Sequence, residues 1–292
     1  MPATQEITVK KLGIIAGGGN LPSYLLSICN DKGIEPFIIG FDGQTGVDIM
    51  EDNHHQWVGF GEAGKIISFF KSNGVKDLVL IGGVKRPSFS EIKPDFKAVK
   101  ILSRIGFRAL GDNDLLSALK TELEKEGFIL RGVQDFCDGL LIEEGTVGRY
   151  KPEPDDAVSI EFGLKVSQEI GALDIGQSVI VQNAMIVGVE AVEGTDALIA
   201  RCSDLQQNGR GGILVKTRKP QQDKMLDMPT IGPQTIINAH NAGLAGIVLH
   251  AGNVIIVDIK TVANYADKYK IFVVGVPVEN GNKPKTERTL KT

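Results

Sequence analysis

The residues best equipped for chemistry lie late in the chain. The segment Lys216-Thr-Arg218-Lys219-Pro220-Gln-Gln-Asp223-Lys-Met-Leu-Asp227-Met-Pro229-Thr230-Ile231-Gly232-Pro233 leaves a strand-like run at Ile213 to Lys216. Asp223 and Asp227 stand four apart between two prolines. Carboxylate oxygens are the ligands Mg²⁺ takes, and the ion keeps several of its waters. Lys216, Arg218 and Lys219 beside them would neutralise phosphate oxygens, because charge on those oxygens is what phosphoryl transfer must stabilise. Thr230, Ile231 and Gly232 add a hydroxyl and backbone donors ahead of a helix. A solvated loop is the plainer reading, but long loops without structure of their own are usually functional. Upstream, Glu190-Ala-Val-Glu193-Gly-Thr195-Asp196 follows another strand-like run, with Arg201 five residues on. Together these residues suit a site for phosphoryl-transfer chemistry, with Asp223, Asp227 and Lys216 as its working groups. Glu193 or Asp196 would be further carboxylates for the same ion.

Two glycine-rich turns form a second constellation. Leu12 to Ala16 is a short apolar run ending in Gly17-Gly18-Gly19-Asn20-Leu21-Pro22, and Asp77 to Ile81 ends in Gly82-Gly83-Val-Lys85-Arg86-Pro87. Glycines between a strand and a helix let backbone amides approach a phosphate. The first turn does not spell G-x-G-x-x-G and has no GK[ST], so neither a dinucleotide fingerprint nor a Walker A loop is present. Asp42 is the nearest acid to the end of the next strand that could bind a ribose. A tight structural turn, a dinucleotide site and a site for another phosphorylated ligand all remain open. In the second turn, Lys85 and Arg86 make an anion site or a solvated basic loop.

Other patterns are weaker. Gly111-Asp112-Asn113-Asp114 places acids at a helix start, where capping explains them as well as metal binding does. Phe96 to Leu110 is a basic amphipathic stretch that would suit an anionic membrane surface or acyl chains, or an ordinary helix with a solvated face. His54, His55, His240 and His250 show no metal-ligand spacing, and there is no GxSxG elbow. Cys29, Cys137 and Cys202 lie far apart without a CxxC pair, which fits inert thiols in a reducing compartment.

The elements that must position these residues follow an α/β pattern. In the first half, strands at Leu12–Ala16, Pro36–Ile39, Asp77–Ile81 and Phe128–Leu130 alternate with helical patterns at Pro22–Asn30, Lys65–Ser72, Phe96–Leu110 and Asp114–Lys125. That alternation predicts a parallel sheet in a Rossmann-like three-layer domain over residues 1–140. Residues 141–156 read as a linker, with Gly145–Asp156 rich in glycine and proline. Residues 157–280 read as a separate catalytic α/β domain, and 281–292 as a polar tail. The second domain has a helix at Ala157–Ile170, strands at Ser178–Val181 and Met185–Val189 joined by an Asn183-Ala184 hairpin, and a strand at Ile213–Lys216. A helix near Thr235–Ala242 and strands at Gly246–His250, Val254–Asp258 and Ile271–Val274 complete it.

Composition bounds the function classes. With 292 residues and 42% hydrophobic content the chain can bury a proper core, which excludes intrinsic disorder. A net charge of −4 argues against a nucleic-acid coating protein. The longest apolar stretch, Ala242–Val257, is interrupted by His250 and Asn253 and is shorter than the ~20 residues a bilayer crossing needs. No secretory leader is visible, so the expected location is cytoplasmic, with any membrane contact peripheral.

The motifs in order, from Ala16-Gly-Gly-Gly-Asn-Leu-Pro22 through Gly83-Val-Lys-Arg-Pro87, Gly111-Asp-Asn-Asp-Leu-Leu116, Asp174-Ile-Gly-Gln-Ser178 and Glu190-Ala-Val-Glu-Gly-Thr-Asp196 to Val215–Pro233, resemble the LpxI-type UDP-2,3-diacylglucosamine pyrophosphatases of lipid A biosynthesis. The likeness spans roughly Lys11 to Val276. It implies an Mg²⁺-dependent hydrolase that cleaves UDP-2,3-diacylglucosamine to UMP and 2,3-diacylglucosamine 1-phosphate. It also implies attack on the sugar-side phosphorus, substrate held between the two domains, a homodimer and peripheral contact with the inner membrane. An essential aspartate is implied in the Gln-Asp-x-x-x-Asp-x-Pro-Thr-Ile-Gly segment, where Asp223 and Asp227 are both candidates and both metal ligands. Substrate contacts are expected from Gly17, Gly18, Gly19, Asn20, Leu21, Lys85, Arg86, Thr195, Asp196, Lys219, Thr230, Ile231 and Gly232. The acyl groove would come from Phe96–Leu110 or Ala242–Val257. Two other classes stay in view: an NAD- or nucleotide-binding oxidoreductase or sensor built on the first half, and a non-catalytic membrane-surface binder.

Overall fold

The computed structural model describes residues 9–84, 94–99, 112–137 and 139–278. In the first domain, β1 (Lys11–Ala16), α1 (Leu21–Lys32), β2 (Glu35–Phe41), β3 (His54–Val58), α2 (Ala63–Ser72), β4 (Asp77–Ile81), α3 (Asp112–Lys125) and β5 (Ile129–Arg131) follow in order. The strands form one parallel sheet, β3-β2-β1-β4-β5. β1 and β4 read as continuous apolar runs because helices cover both faces of the sheet, and their side chains are almost entirely buried. Pro22 in the first turn of α1 and left-handed Gly33 after its end bound that helix.

The second domain is built on a mixed sheet. β6 (Gly145–Val147), α4 (Asp156–Ala172), β7 (Ser178–Gln182), β8 (Met185–Val189), α5 (Thr195–Cys202), β9 (Ile213–Lys216) and β10 (Thr230–Ile231) come first. α6 (Pro233–Asn241), β11 (Gly246–His250), β12 (Ile255–Ile256), α7 (Ile259–Tyr269) and β13 (Phe272–Val276) complete it. The sheet order is β6-β13-β11-β9-β7-β8, with β13, β11 and β9 parallel and the outer strands antiparallel. Asn183 and Ala184 both take left-handed angles, φ 51° and 56°, in the hairpin turn. That is a primed turn, strained for alanine, and the Ser159 hydroxyl takes the Ala184 amide at 2.9 Å.

Several elements differ from the sequence reading. His54–Val58 is a sheet strand that its mixed composition hid. Gly145–Val147, inside the stretch read as a connector, is an edge strand, and its pairing with β13 depends on Gly275, where a Cβ would strike the Glu143 carbonyl. α5 and α7 are helices that loop-like polar residues concealed. Val254–Asp258 is not a strand of the main sheet: Ile255–Ile256 pairs with β10 in a separate two-stranded parallel sheet. Ala242–Val257 supplies no groove, because Ile247, Val248, Leu249, Val254, Ile255 and Ile256 are core residues at most 2% exposed. Residues 96–99 are helical; the rest of the basic stretch to Leu110, and Lys85 and Arg86, lie outside the described residues. No described helix is long and apolar enough to cross a membrane.

A strand of chain ties the two domains. After β9 the segment runs across to the first domain, where Leu226 joins the cluster of Phe37, Phe41, Leu123 and Phe128. Met228 and Ile255 join the cluster of Leu12, Ile14, Val133 and Phe136.

The glycine turns pack backbone on backbone. Gly18 and Gly83 exchange amide hydrogen bonds of 2.7 and 3.0 Å, and a Cβ on Gly17 would lie 2.5 Å from the Gly83 carbonyl oxygen. Backbone cannot step aside as a flexible side chain would. Gly17→Ala is therefore expected to cost about 1–3 kcal/mol, the range of overpacking in a tight interior, read as a lowered urea midpoint. An unchanged midpoint would contradict that packing.

Candidate functional site

The polar residues of the second domain converge where β9 and β11 end. Lys216 is the last residue of β9 and is 4% exposed. Its Nζ donates to Thr195 Oγ1 at 2.6 Å, and Thr195 Oγ1 donates to Glu190 Oε1 at 2.8 Å. Ser178 Oγ lies 3.3 Å from the same threonine oxygen, and the Gln177 amide donates to Glu190 Oε2 at 3.1 Å. The fold makes this cluster from three strand ends. Ser178 opposes Lys216 across β7 and β9, and the Glu190 amide bonds the Ser178 carbonyl at 2.9 Å. Gly194, at φ 82°, turns the chain so that α5 begins on Thr195. Burial pushes the Glu190 carboxyl up, but the Lys216 ammonium and the hydrogen bonds from Thr195, Ser178 and Gln177 outweigh it and hold the group ionised, below the usual carboxylate range. An ammonium carries three donors, and among the described residues Thr195 is the hydrogen-bond partner of Lys216.

The segment after Lys216 is fastened on both sides. Towards α4, Gln168 Nε2 donates to the Arg218 carbonyl at 3.1 Å, Gln221 Nε2 to the Gly171 carbonyl at 2.8 Å, and Lys219 pairs with Asp174 at 2.6 Å. Towards β11, Arg218 Nε donates to Asn253 Oδ1 at 2.9 Å and Lys224 Nζ to the Gly252 carbonyl at 3.3 Å. Asp223 accepts from Lys120 Nζ of α3 at 2.6 Å and from the Met225 amide at 2.9 Å. Burial raises its pKa, but Lys120, Met225 and Arg218 bring it below the ordinary range. Asp227 stands one turn on, its amide 3.2 Å from the Asp223 carbonyl, and is exposed, with Gln222 Nε2 donating to it. The Arg218 guanidinium has its pKa lowered by burial, opposed by Asp223.

His250 closes the edge. It is 6% exposed at the end of β11, and its Nδ1 is buried without a hydrogen-bond partner. Burial, with Arg218 and Lys224 nearby, lowers its pKa to about 4, so the ring is neutral at pH 7.

The expected site residues thus fall into groups. Lys216 and Thr195 meet directly. Asp223 and Asp227 share a turn on the segment that begins at Lys216. Lys219 is turned aside to Asp174, and Asp196 accepts from Asn238 Nδ2 at 2.9 Å. The Thr230 hydroxyl donates to the Met228 carbonyl at 3.0 Å, Ile231 is buried in β10, and Gly232 starts α6. Gly17, Gly18, Gly19, Asn20 and Leu21 lie at the carboxyl edge of the first sheet, leading into α1. There the amides of Gly17 and Gly18 are spent on Ile81 and Gly83. Asp42 is exposed just past β2. A shallow hollow lined by Asn30, Glu35, Asp52 and His54 sits at the opposite edge of that sheet, away from these residues. Sequence reasoning missed Lys120, Asn253 and His250, and missed that Thr195 links Lys216 to Glu190. A strand ending in an acid was the one available signal, and it marked Glu190 alone.

Among the described residues, no group of three or more His, Cys, Asp and Glu side chains is placed to hold a metal. The three cysteines are free and buried.

Comparison with known proteins shows what the chain as a whole is similar to. Residues 11–140 match the family model "LpxI N-terminal domain", and residues 143–274 match "LpxI C-terminal domain". A protein of Caulobacter vibrioides named UDP-2,3-diacylglucosamine pyrophosphatase LpxI is 38% identical over 283 residues, covering 92% of this chain and 98% of its own. Among solved structures, the biotin carboxylase domain of Hydrogenobacter thermophilus 2-oxoglutarate carboxylase overlaps 67% of this chain and 41% of its own. At 13% identity and a TM-score of 0.25, that likeness carries no argument.

The buried imidazole has a consequence for acid stability. The folded ring titrates at about 4 against 6.5 for the ordinary group. The unfolded chain therefore takes up the proton first as pH falls, and stability drops from about pH 6.5 towards pH 4, by at most about 3 kcal/mol. His250→Gln should flatten this slope in urea midpoints taken at pH 7 and pH 5. The same slope in both proteins would mean another group carries it.

Proposed function

The chain belongs to the LpxI family, and on that premise we propose that it hydrolyses the diphosphate of UDP-2,3-diacylglucosamine in lipid A biosynthesis. The products are UMP and 2,3-diacylglucosamine 1-phosphate. The observation that supports this reading best is the buried Lys216 ammonium, hydrogen-bonded to a hydroxyl, at the start of a segment carrying two carboxylates. A desolvated cation for the diphosphate and carboxylates for an attacking water are what the reaction requires.

The donor set fits Mg²⁺ of the kind that arrives with a phosphate substrate. Asp223 and Asp227 are hard oxygen donors on one turn, Asp227 exposed and Asp223 held ionised. One or two carboxylates, completed by substrate oxygens and water, suit this ion, and an all-protein cage is not needed. When bound it would draw charge from the diphosphate.

The remaining steps belong to side chains. Lys216 binds an oxygen of the phosphate under attack and stabilises the charge that grows on it. Asp223 and Asp227 orient water towards the sugar-side phosphorus. A new P–O bond forms there, the bridging P–O bond breaks, UMP departs, and the water's proton passes to a carboxylate. Arg218 is anchored by Asn253, so its charge stays beside Asp223 as substrate enters. The first domain, through its glycine turns and the Lys85–Arg86 pair, contacts the rest of the nucleotide sugar. The enzyme acts in the cytoplasm as a homodimer, touching the inner membrane peripherally, since its substrate's acyl chains reside there.

Purified protein with detergent-dispersed substrate should release UMP with Mg²⁺ and stop with EDTA. Asp223→Ala and Asp227→Ala should each lower kcat at least ~10²-fold, as losing one transition-state contact does. No UMP from folded protein, or near-native turnover in both variants, would overturn the proposal.

A further inference from the structure

Glu190 has no direct hydrogen bond to Lys216, yet its carboxylate is built into the lysine's surroundings. It is 5% exposed and accepts from Thr195 at 2.8 Å and from the Gln177 amide at 3.1 Å, with Ser178 as a further donor. A carboxylate at such depth costs several kcal/mol to desolvate, and replacing a buried ion pair by apolar residues is often neutral or stabilising. Stability alone therefore explains its presence poorly. Its geometry is specific. The Thr195 proton points to Glu190, so the hydroxyl's lone pairs face Lys216 Nζ at 2.6 Å. A threonine hydroxyl has one proton, and Glu190 decides where it goes. The other carboxylates of the neighbourhood are engaged elsewhere: Glu193 pairs with Arg201 at 2.9 Å, and Asp196 accepts from Asn238.

We propose that Glu190 is a positioning residue for the hydrolysis: acting through the Thr195 hydroxyl, it fixes the Lys216 ammonium in the orientation that meets the phosphate under attack. This rests on the function proposed above. The carboxylate touches neither substrate nor metal. It orients Thr195, places a counter-charge near the buried ammonium, and leaves the ammonium's remaining donors directed at the ligand. The three act as a unit.

Units show themselves by non-additivity. Wild type, Glu190→Gln, Lys216→Met and the double variant are compared by UMP release, each checked for folding by circular dichroism. Glu190→Gln should lower kcat about 10–100-fold with KM within about threefold, and Lys216→Met about 10²–10³-fold. The double variant should be within about threefold of Lys216→Met alone, since there is then no ammonium left to orient. Should Glu190→Gln fail to fold, Thr195→Val takes its place in the cycle, and Thr195→Ser, which keeps the hydroxyl, should restore the rate to within about threefold of wild type. Losses that multiply, a wild-type kcat in Glu190→Gln, or an effect confined to melting temperature would overturn the assignment while leaving the hydrolase reading standing. A wild-type chain that releases no UMP would remove both.

Discussion

The site depends on one anchoring. The segment that leaves β9 buries Leu226 and Met228 in the two core clusters of the first domain, at 6% and 9% exposure. Each buried side chain of this size is worth about 2–5 kcal/mol against truncation. That is enough to hold the intervening chain to one path. Between these anchors and Lys216 the segment has little freedom. Its start is clamped to α4 by Gln168, Gln221 and the Lys219–Asp174 pair, and its middle by Lys120 from the first domain. Asp223 and Asp227 are thus presented by a loop that both domains define. A loop fixed this way can hold carboxylates in register with a phosphate, and a floppy one could not.

The second constraint is electrostatic. Lys216 and Glu190 are charged groups at 4% and 5% exposure, an arrangement a protein core seldom gains from. Here the cluster is closed by Thr195, Ser178 and the Gln177 amide, so the buried acid is satisfied while the ammonium keeps donors to offer. On the other face of the same edge, Arg218 and Lys224 surround a neutral His250. The carboxyl edge of the second sheet therefore gathers cations, and the crossing segment lays its carboxylates against them through Asp223. Ligands of parallel α/β sheets gather at such edges.

Much of this was legible in the sequence for a physical reason. Parallel strands covered on both faces must be continuous apolar runs, so Leu12–Ala16, Asp77–Ile81 and Gly246–His250 stood out. The segment from Lys216 to Pro233 stood out because charge, proline and glycine cluster there without a periodic pattern. What could not be read arises at long range. Lys120 meets Asp223 across 103 positions, and no local spacing marks it. His54–Val58 is an edge strand of polar and aromatic residues, α5 begins within the acidic motif, and Gly145–Val147 is a strand only because β13 arrives beside it. For the glycine turns a structural turn and a phosphate site both stood open in the sequence, and no local spacing foretold that Gly17, Gly18, Gly82 and Gly83 bring two backbones into contact.

The most direct test is a crystal structure of the protein with Mg²⁺ and a methylene-bridged diphosphate analogue of UDP-2,3-diacylglucosamine. The account predicts the analogue's phosphorus-bound oxygens within hydrogen-bonding reach of Lys216 Nζ, with Asp223 and Asp227 turned to the same group. An analogue whose diphosphate lies on the glycine turns alone, or at the far edge beside His54, with Lys216 still facing only Thr195, would contradict it.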